Sequence, residues 1–179
     1  MPGMSRGNTN TCAWSNNITM PPWLFDFTVA AGGYPDPRGG TTAWLVTCID
    51  ALGGGLYTSF FPTPSNDVCL SLYAKEIAVP DLYLGIFNIT KAGFDAQAAF
   101  NLTDLTAIAV GGLTIVNQGI KELSDGWRRC WVSASPVYGT ISGMLIYFNL
   151  NDSHYIYNMQ LSRGLVLPDE LKTQEVQLS

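Results

Sequence analysis

Two tryptophans bracket an arginine at alternate positions in Gly126-Trp127-Arg128-Arg129-Cys130-Trp131-Val132. If this segment is a strand, Trp127, Arg129 and Trp131 point to one side, while Arg128, Cys130, Val132 and Ala134 point to the other. Two flat indoles beside a guanidinium can stack on the apolar faces of pyranose rings while the arginine donates directed hydrogen bonds. Trp127, Arg129 and Trp131, with Tyr138 further along, are therefore the candidate glycan-binding residues. The same residues have a structural use, in which the rings cover a second sheet and Arg129 pairs with a carboxylate at its edge. The structural use is the stronger expectation.

Other chemistry is thinly represented. His154 is the single histidine, so neither a histidine-based triad nor a two-histidine metal site is marked. It follows Asn151-Asp152-Ser153, which predicts an exposed histidine on a hairpin turn. Glycoside cleavage needs two carboxyl groups held across a sugar bond. Asp26, Asp36, Asp81, Asp95 and Glu122 are present, but none has aromatic neighbours that suggest such a cleft. No catalytic residue is assigned, and a non-enzymatic protein is expected. Cys12, Cys48, Cys69 and Cys130 are widely spaced without a CxxC pair, which argues against a zinc cage and suggests buried thiols; as disulfides they would allow three pairings that the sequence does not choose between. There is no Asp-rich calcium loop, so no metal and no cofactor are expected.

The elements that would carry these residues are short strands. Of the 179 residues, 47% are hydrophobic, 12% aromatic and only 13% charged, which suits one well-cored domain. The net charge of −5 and the lack of a basic stripe argue against a nucleic-acid partner. No apolar run approaches the roughly 20 residues that cross a bilayer, so no membrane insertion is expected. The opening residues lack the apolar region of a secretory signal, which predicts synthesis in a cytoplasm; the Asn-x-Ser/Thr triplets at Asn17, Asn88, Asn101 and Asn151 are then chance.

Strand-like segments recur at Leu24 to Val29, Thr42 to Ile49, Gly55 to Phe61, Val68 to Lys75, Leu82 to Ile89, Ala96 to Leu102, Leu113 to Asn117, Trp127 to Ala134, Ser142 to Asn149 and Tyr155 to Leu161. Several alternate cleanly, as in Leu70, Leu72, Ala74 and in Leu82, Leu84, Ile86. Ala31 to Gly40 is predicted as a long loop, and short helices are expected only around Leu102 to Ile108 and Asp169 to Lys172. Phe60-Phe61 and Tyr147-Phe148 put apolar groups on both faces of their strands, which predicts two-sided burial or a subunit interface. The spacing predicts an all-β sandwich or barrel. A polar arm over 1–22, a core domain over 23–163 and an acidic tail over 164–179 complete the expected organisation.

Five segments in order give a more specific expectation. Asn8-Thr9-Asn10-Thr11-Cys12-Ala13-Trp14, Asp36-Pro37-Arg38-Gly39-Gly40-Thr41-Thr42-Ala43, Ser71-Leu72-Tyr73-Ala74-Lys75, the Gly126 to Val132 strand and Ile156-Tyr157-Asn158-Met159-Gln160-Leu161 span nearly the whole chain. Together they resemble the carbohydrate-binding-module-like jelly-roll domains of tailed-bacteriophage virion proteins, including tail fibres. Asn158-Met159 and Ser162 depart from the small residues and the acidic residue usual in that last strand. The resemblance implies a jelly-roll β-sandwich in a virion surface protein assembled in the host cytoplasm. Its partners would be other virion subunits, as a homotrimer, in a capsid- or tail-associated decoration role; the alternative is a tail-fibre-type receptor-recognition module that binds host glycan.

Overall fold

A computed structural model describes residues 18, 23–58 and 61–164. The arm over 1–22 and the tail over 164–179, with the helix expected at Asp169 to Lys172, lie outside the described residues, apart from Ile18 and Gly164. Ile18 is buried in the core. Eleven antiparallel strands are present among the described residues: β1 (Trp23–Asp26), β2 (Thr28–Tyr34), β3 (Ala43–Cys48), β4 (Gly54–Thr58), β5 (Phe61–Glu76), β6 (Asp81–Asn88), β7 (Gly93–Asn101), β8 (Thr106–Gly111), β9 (Ile115–Glu122), β10 (Trp127–Tyr147) and β11 (Ser153–Arg163). The one helical element among the described residues is a single 3-10 turn at Ser124–Gly126.

The strands form two facing layers joined through β10. Layer one runs β2-β3-β11-β5 to the first half of β10, which also pairs with β9; in layer two the second half of β10 lies between β4 and β6, with β1, β7 and β8 outside them. Alternation decides what the layers enclose. Leu70, Leu72, Ala74, Cys130, Val132 and Ala134 of layer one meet Leu84, Ile86, Ala96, Ala98, Phe100 and Leu145 of layer two in one fully buried cluster. Each large apolar side chain removed from water there contributes about 1.5–3 kcal/mol. Gly143 marks how closely the layers approach: a Cβ on it would stand 2.9 Å from Leu70 Cδ1, on the opposite layer.

Three regions depart from the sequence-based expectation. Ala31 to Tyr34 belongs to β2 rather than a loop. An edge strand tolerates glycine, and Gly32 is needed because the Trp44 ring lies 3.0 Å from where its Cβ would be. Leu102 to Ile108 is a turn leading into β8, not a helix. Asn101 Oδ1 accepts from the Thr103 and Asp104 amides at 3.1 and 2.8 Å, which satisfies donors a helix would have used. Finally, the two strands expected at Trp127 to Ala134 and Ser142 to Asn149 are the halves of β10, a 21-residue strand whose register shifts between Ala134 and Gly139 as it passes from one layer to the other.

The Asp36-Pro37-Arg38-Gly39-Gly40 motif is a turn closed on one carboxylate. Asp36 Oδ1 accepts from the Arg38 and Gly40 amides at 2.8 and 3.0 Å, and Oδ2 from the Thr42 amide and hydroxyl at 3.1 and 2.8 Å. Burial alone would raise the pKa of this carboxyl, but the donors of Thr42, Arg38 and Gly40 outweigh it and hold the group below its usual value. A Cβ at residue 40 would come within 2.6 Å of Oδ2, so glycine is required there. The turn lays Arg38 over Tyr157, 5.9 Å from the ring centroid.

Candidate binding surfaces

Each layer has an outward side, and the two are built differently. On layer one, Trp127, Arg129 and Trp131 share that side, as the alternation of β10 predicts, and all three are buried, at 2, 2 and 5% exposure. Trp127 packs with Ala43, Tyr73 and Tyr157, edged by Tyr34, Leu123 and Tyr155. Trp131 packs on Cys69 and lies over Gly119, where an added Cβ would collide with the indole. Arg129 Nη2 donates to Ser71 Oγ at 2.8 Å and to Gln160 Oε1 at 3.2 Å, and its guanidinium lies 4.4 Å above the Tyr73 ring.

This differs in two respects from the structural use anticipated above, the first being that the rings pack on the outward side of layer one and do not cover the second sheet. No carboxylate pairs with Arg129 among the described residues; neutral acceptors and a ring face hold it, and its Nε has no partner. Tyr138 is not part of this group. It stands at the bend of β10, 51% exposed, with Lys91 Nζ 5.6 Å over its ring. The structure therefore brings three of the four candidates together and leaves the two indoles little free face on which a sugar could stack.

The outward side of layer two carries an open groove of about 690 Å³. Strand register explains the hollow. Across the sheet, Leu24, Tyr57, Met144 and Gly85 form one row, and Asp26, Gly55, Ile146 and Tyr83 the next. Gly53, Gly54 and Gly55 line the hollow without side chains, each with neighbouring backbone 2.5 Å from where a Cβ would stand, while Gly85 is covered by Phe94. At Gly54 the floor packs tightly on β1, where a Cβ would come 2.5 Å from the Asp26 carbonyl. Phe94 lies over Gly85 and meets Phe87 edge-on with centroids 5.2 Å apart; Phe148 meets Tyr83 in the same way at 4.5 Å. Phe27, at φ 47°, lies between β1 and β2 and stands 57% exposed at the groove. A left-handed conformation is costly for a bulky side chain.

Asp26 and Asp50 are the charged residues in the lining. Asp50 Oδ1 accepts from the Leu52 amide at 2.7 Å. Asp26 contradicts the expectation that no carboxylate stands among aromatics. The other acids are engaged elsewhere: Asp95 with Lys91 Nζ at 2.9 Å and Asn88 Nδ2 at 2.7 Å, Glu122 with Arg128 at 3.0 Å, and Asp81 with Asn101 Nδ2 at 2.8 Å.

Sequence reasoning missed this groove because its residues come from β1, β4, β6, β7, β10 and the turns between strands, with β1, β6 and β7 supplying one each. The available signal was the apolar character of both faces of β10, noted at Tyr147-Phe148: Tyr147 is buried inward and Phe148 is 48% exposed. His154 was also misplaced. It lies inside β11, fully buried and stacked on Tyr147 with centroids 5.6 Å apart, not on an exposed turn. Burial pushes its pKa down to about 4, against the pull of the Val79 backbone and of the Asp152 and Asp81 carboxylates. The thiols of Cys48, Cys69 and Cys130 are buried, and Cys12 lies outside the described residues.

No protein-family model matches the chain. No curated protein matches it either. Among solved structures, the chain is similar to the enzymatically active domain of tailspike protein 4 of bacteriophage CBA120, with a TM-score of 0.54 and 10% identity over 87% of this chain and 21% of that one. It thus spans about a fifth of that tailspike chain. It is also similar to the CBM22-1 xylan-binding domain from Paenibacillus barcinonensis Xyn10C, with a TM-score of 0.52 and 12% identity, covering 81% of this chain and 87% of that one. At such identities the likeness establishes architecture, and the architecture of this chain is a jelly-roll β-sandwich of the kind found in carbohydrate-binding modules.

Proposed function

We propose that this chain is a non-enzymatic glycan-binding domain whose ligand lies in the groove on the outward side of layer two. The observation that carries this reading is the groove itself, of the size expected for a ligand site, with a floor left bare by glycines and walls of tyrosine and phenylalanine. Pyranose rings present flat apolar faces to such walls. The fold likeness to a xylan-binding domain supports the reading, and the likeness to a tailspike domain supports carriage on a bacteriophage particle, where the domain would hold host surface glycan. Screening the protein against an immobilised glycan panel, beside its Tyr57→Ala variant, tests this. A set of glycans retained by the parent and lost by the variant is the expected result, and an empty panel for the parent would overturn it.

A second reading, a virion decoration or connector protein forming a homotrimer, is favoured by a different surface. Leu105, Ile108, Val110, Leu113 and Val116 are all exposed around β8 and the start of β9, and 105–120 contains no charged residue. β8 ends the strand path of its layer, and an uncharged apolar edge invites pairing with another chain. Sedimentation of the parent against an Ile108→Lys variant tests this reading, which requires an assembly that the substitution dissolves.

A further inference from the structure

The groove is apolar along its walls, yet its charged lining residues are of one sign. Asp26 stands beside Gly55 on the outward face of β1, and Asp50 begins the turn that leads to Gly53. Among the described residues no lysine or arginine pairs with either, since the ion pairs there join Lys91 to Asp95 and Arg128 to Glu122. One oxygen of Asp50 is occupied by the Leu52 amide, which fixes the carboxylate and leaves the other oxygen available. Around them stand Phe27, Tyr57 and Phe148, whose ring faces also attract cations. Two carboxylates at a concave aromatic surface with no ion-pair partner among the described residues favour a ligand that brings the positive charge itself.

We propose that the ligand class of this groove is an amino-sugar glycan with free ammonium groups. Its pyranose faces pack on Tyr57 and the phenylalanines, and its ammonium groups donate to Asp26 and Asp50. A neutral glycan would fill the same walls and could offer the carboxylates hydroxyl donors, but no positive charge. An N-acetylated glycan would also replace the ammonium by an uncharged amide. An anionic glycan would be repelled. This inference rests on the glycan-binding reading above and names the chemistry it selects.

Calorimetric titration of the full chain at about pH 6, where carboxylates are ionised, with three oligosaccharides of equal length and linkage tests it: a glucosamine oligomer, its N-acetylated form and the glucose oligomer. The glucosamine oligomer should bind about tenfold or more tighter than either of the others, the scale of one charge-assisted hydrogen bond. Asp26→Asn and Asp50→Asn should each remove most of that preference, and added salt should weaken only the glucosamine oligomer. Both aspartates lie at the surface of the groove, so thermal midpoints should confirm that the variants stay folded. If all three oligomers bind alike, or if the preference survives in both variants, the amino-sugar assignment fails while the glycan reading stands. If none binds while the panel retains other glycans, the amino-sugar assignment fails alone; if the panel is empty as well, both readings fail.

Discussion

The outward sides of the two layers use similar residues to opposite ends. On layer one, tryptophan, tyrosine and arginine are pressed into one another: Trp127 and Trp131 are closed over, and Arg129 is held by Ser71, Gln160 and Tyr73. On layer two, tyrosine and phenylalanine stand around glycines and keep exposed surface, as Phe27 and Phe148 do. Aromatic content alone therefore does not identify a binding face. What separates the two is whether the rings are closed over, as Trp131 is on Gly119, or keep much of their surface in water, as Phe27 and Phe148 do.

The comparison can be broken most decisively at Trp131. Trp131→Ala should cost about 3–5 kcal/mol, the range for large aromatic truncations in a packed site, read as a fall in the denaturant midpoint. A variant with unchanged stability and lost adsorption to host cells would instead make layer one the recognition face. Next in size is the pH dependence carried by His154, which lies under neither face. Its folded pKa of about 4 is below the unfolded value of 6.5, so the fold favours the neutral ring. Stability from this source is complete above about pH 6.5, drains as pH falls towards 4, and amounts to about 3 kcal/mol. Denaturation midpoints of the parent and His154→Phe across that window check it, since the variant should lose this slope.

Smaller again is Asp36→Ala, which strips four hydrogen bonds from the turn under Arg38 and should cost about 1–3 kcal/mol; urea titration reads the loss. The smallest effect on stability belongs to layer two. Phe148→Ser should stay within about 1 kcal/mol because half of the ring is already in water, while retention on the glycan panel falls. A large stability loss there would erase the distinction between the faces.

How legible these surfaces were in the sequence follows from how each is assembled. Trp127, Arg129 and Trp131 lie at alternate positions of one strand, so a period of two was enough to place them on one side. That Leu70, Leu72 and Ala74 share one face of their strand, and Leu82, Leu84 and Ile86 one face of theirs, was visible for the same reason, whereas their meeting across the layers was not. The groove was not, because Asp26, Tyr57, Phe87 and Ile146 come together only through the register of strands distant in sequence. Local signals also misled where tertiary context overrode them. Gly32 and Gly33 read as loop but serve an edge strand, and Trp127 to Ala134 and Ser142 to Asn149 read as two strands where β10 runs through both layers. His154 follows turn-forming residues and is nonetheless sealed against Tyr147.

The length of β10 has a consequence for how the chain reaches its native state during synthesis. Through its two halves this strand pairs with β4, β5, β6 and β9, and all of its residues come after position 126. Until it is made, β6 has only β7 beside it, β9 has no ladder partner among the described strands, and β5 has neither of its neighbours, since β11 is later still. Local hairpins such as β6–β7 can form early, but the two layers have nothing to join them. The nascent polypeptide therefore carries open, apolar strand edges while β1 to β9 are made, and the sandwich closes in one late, long-range event rather than growing layer by layer.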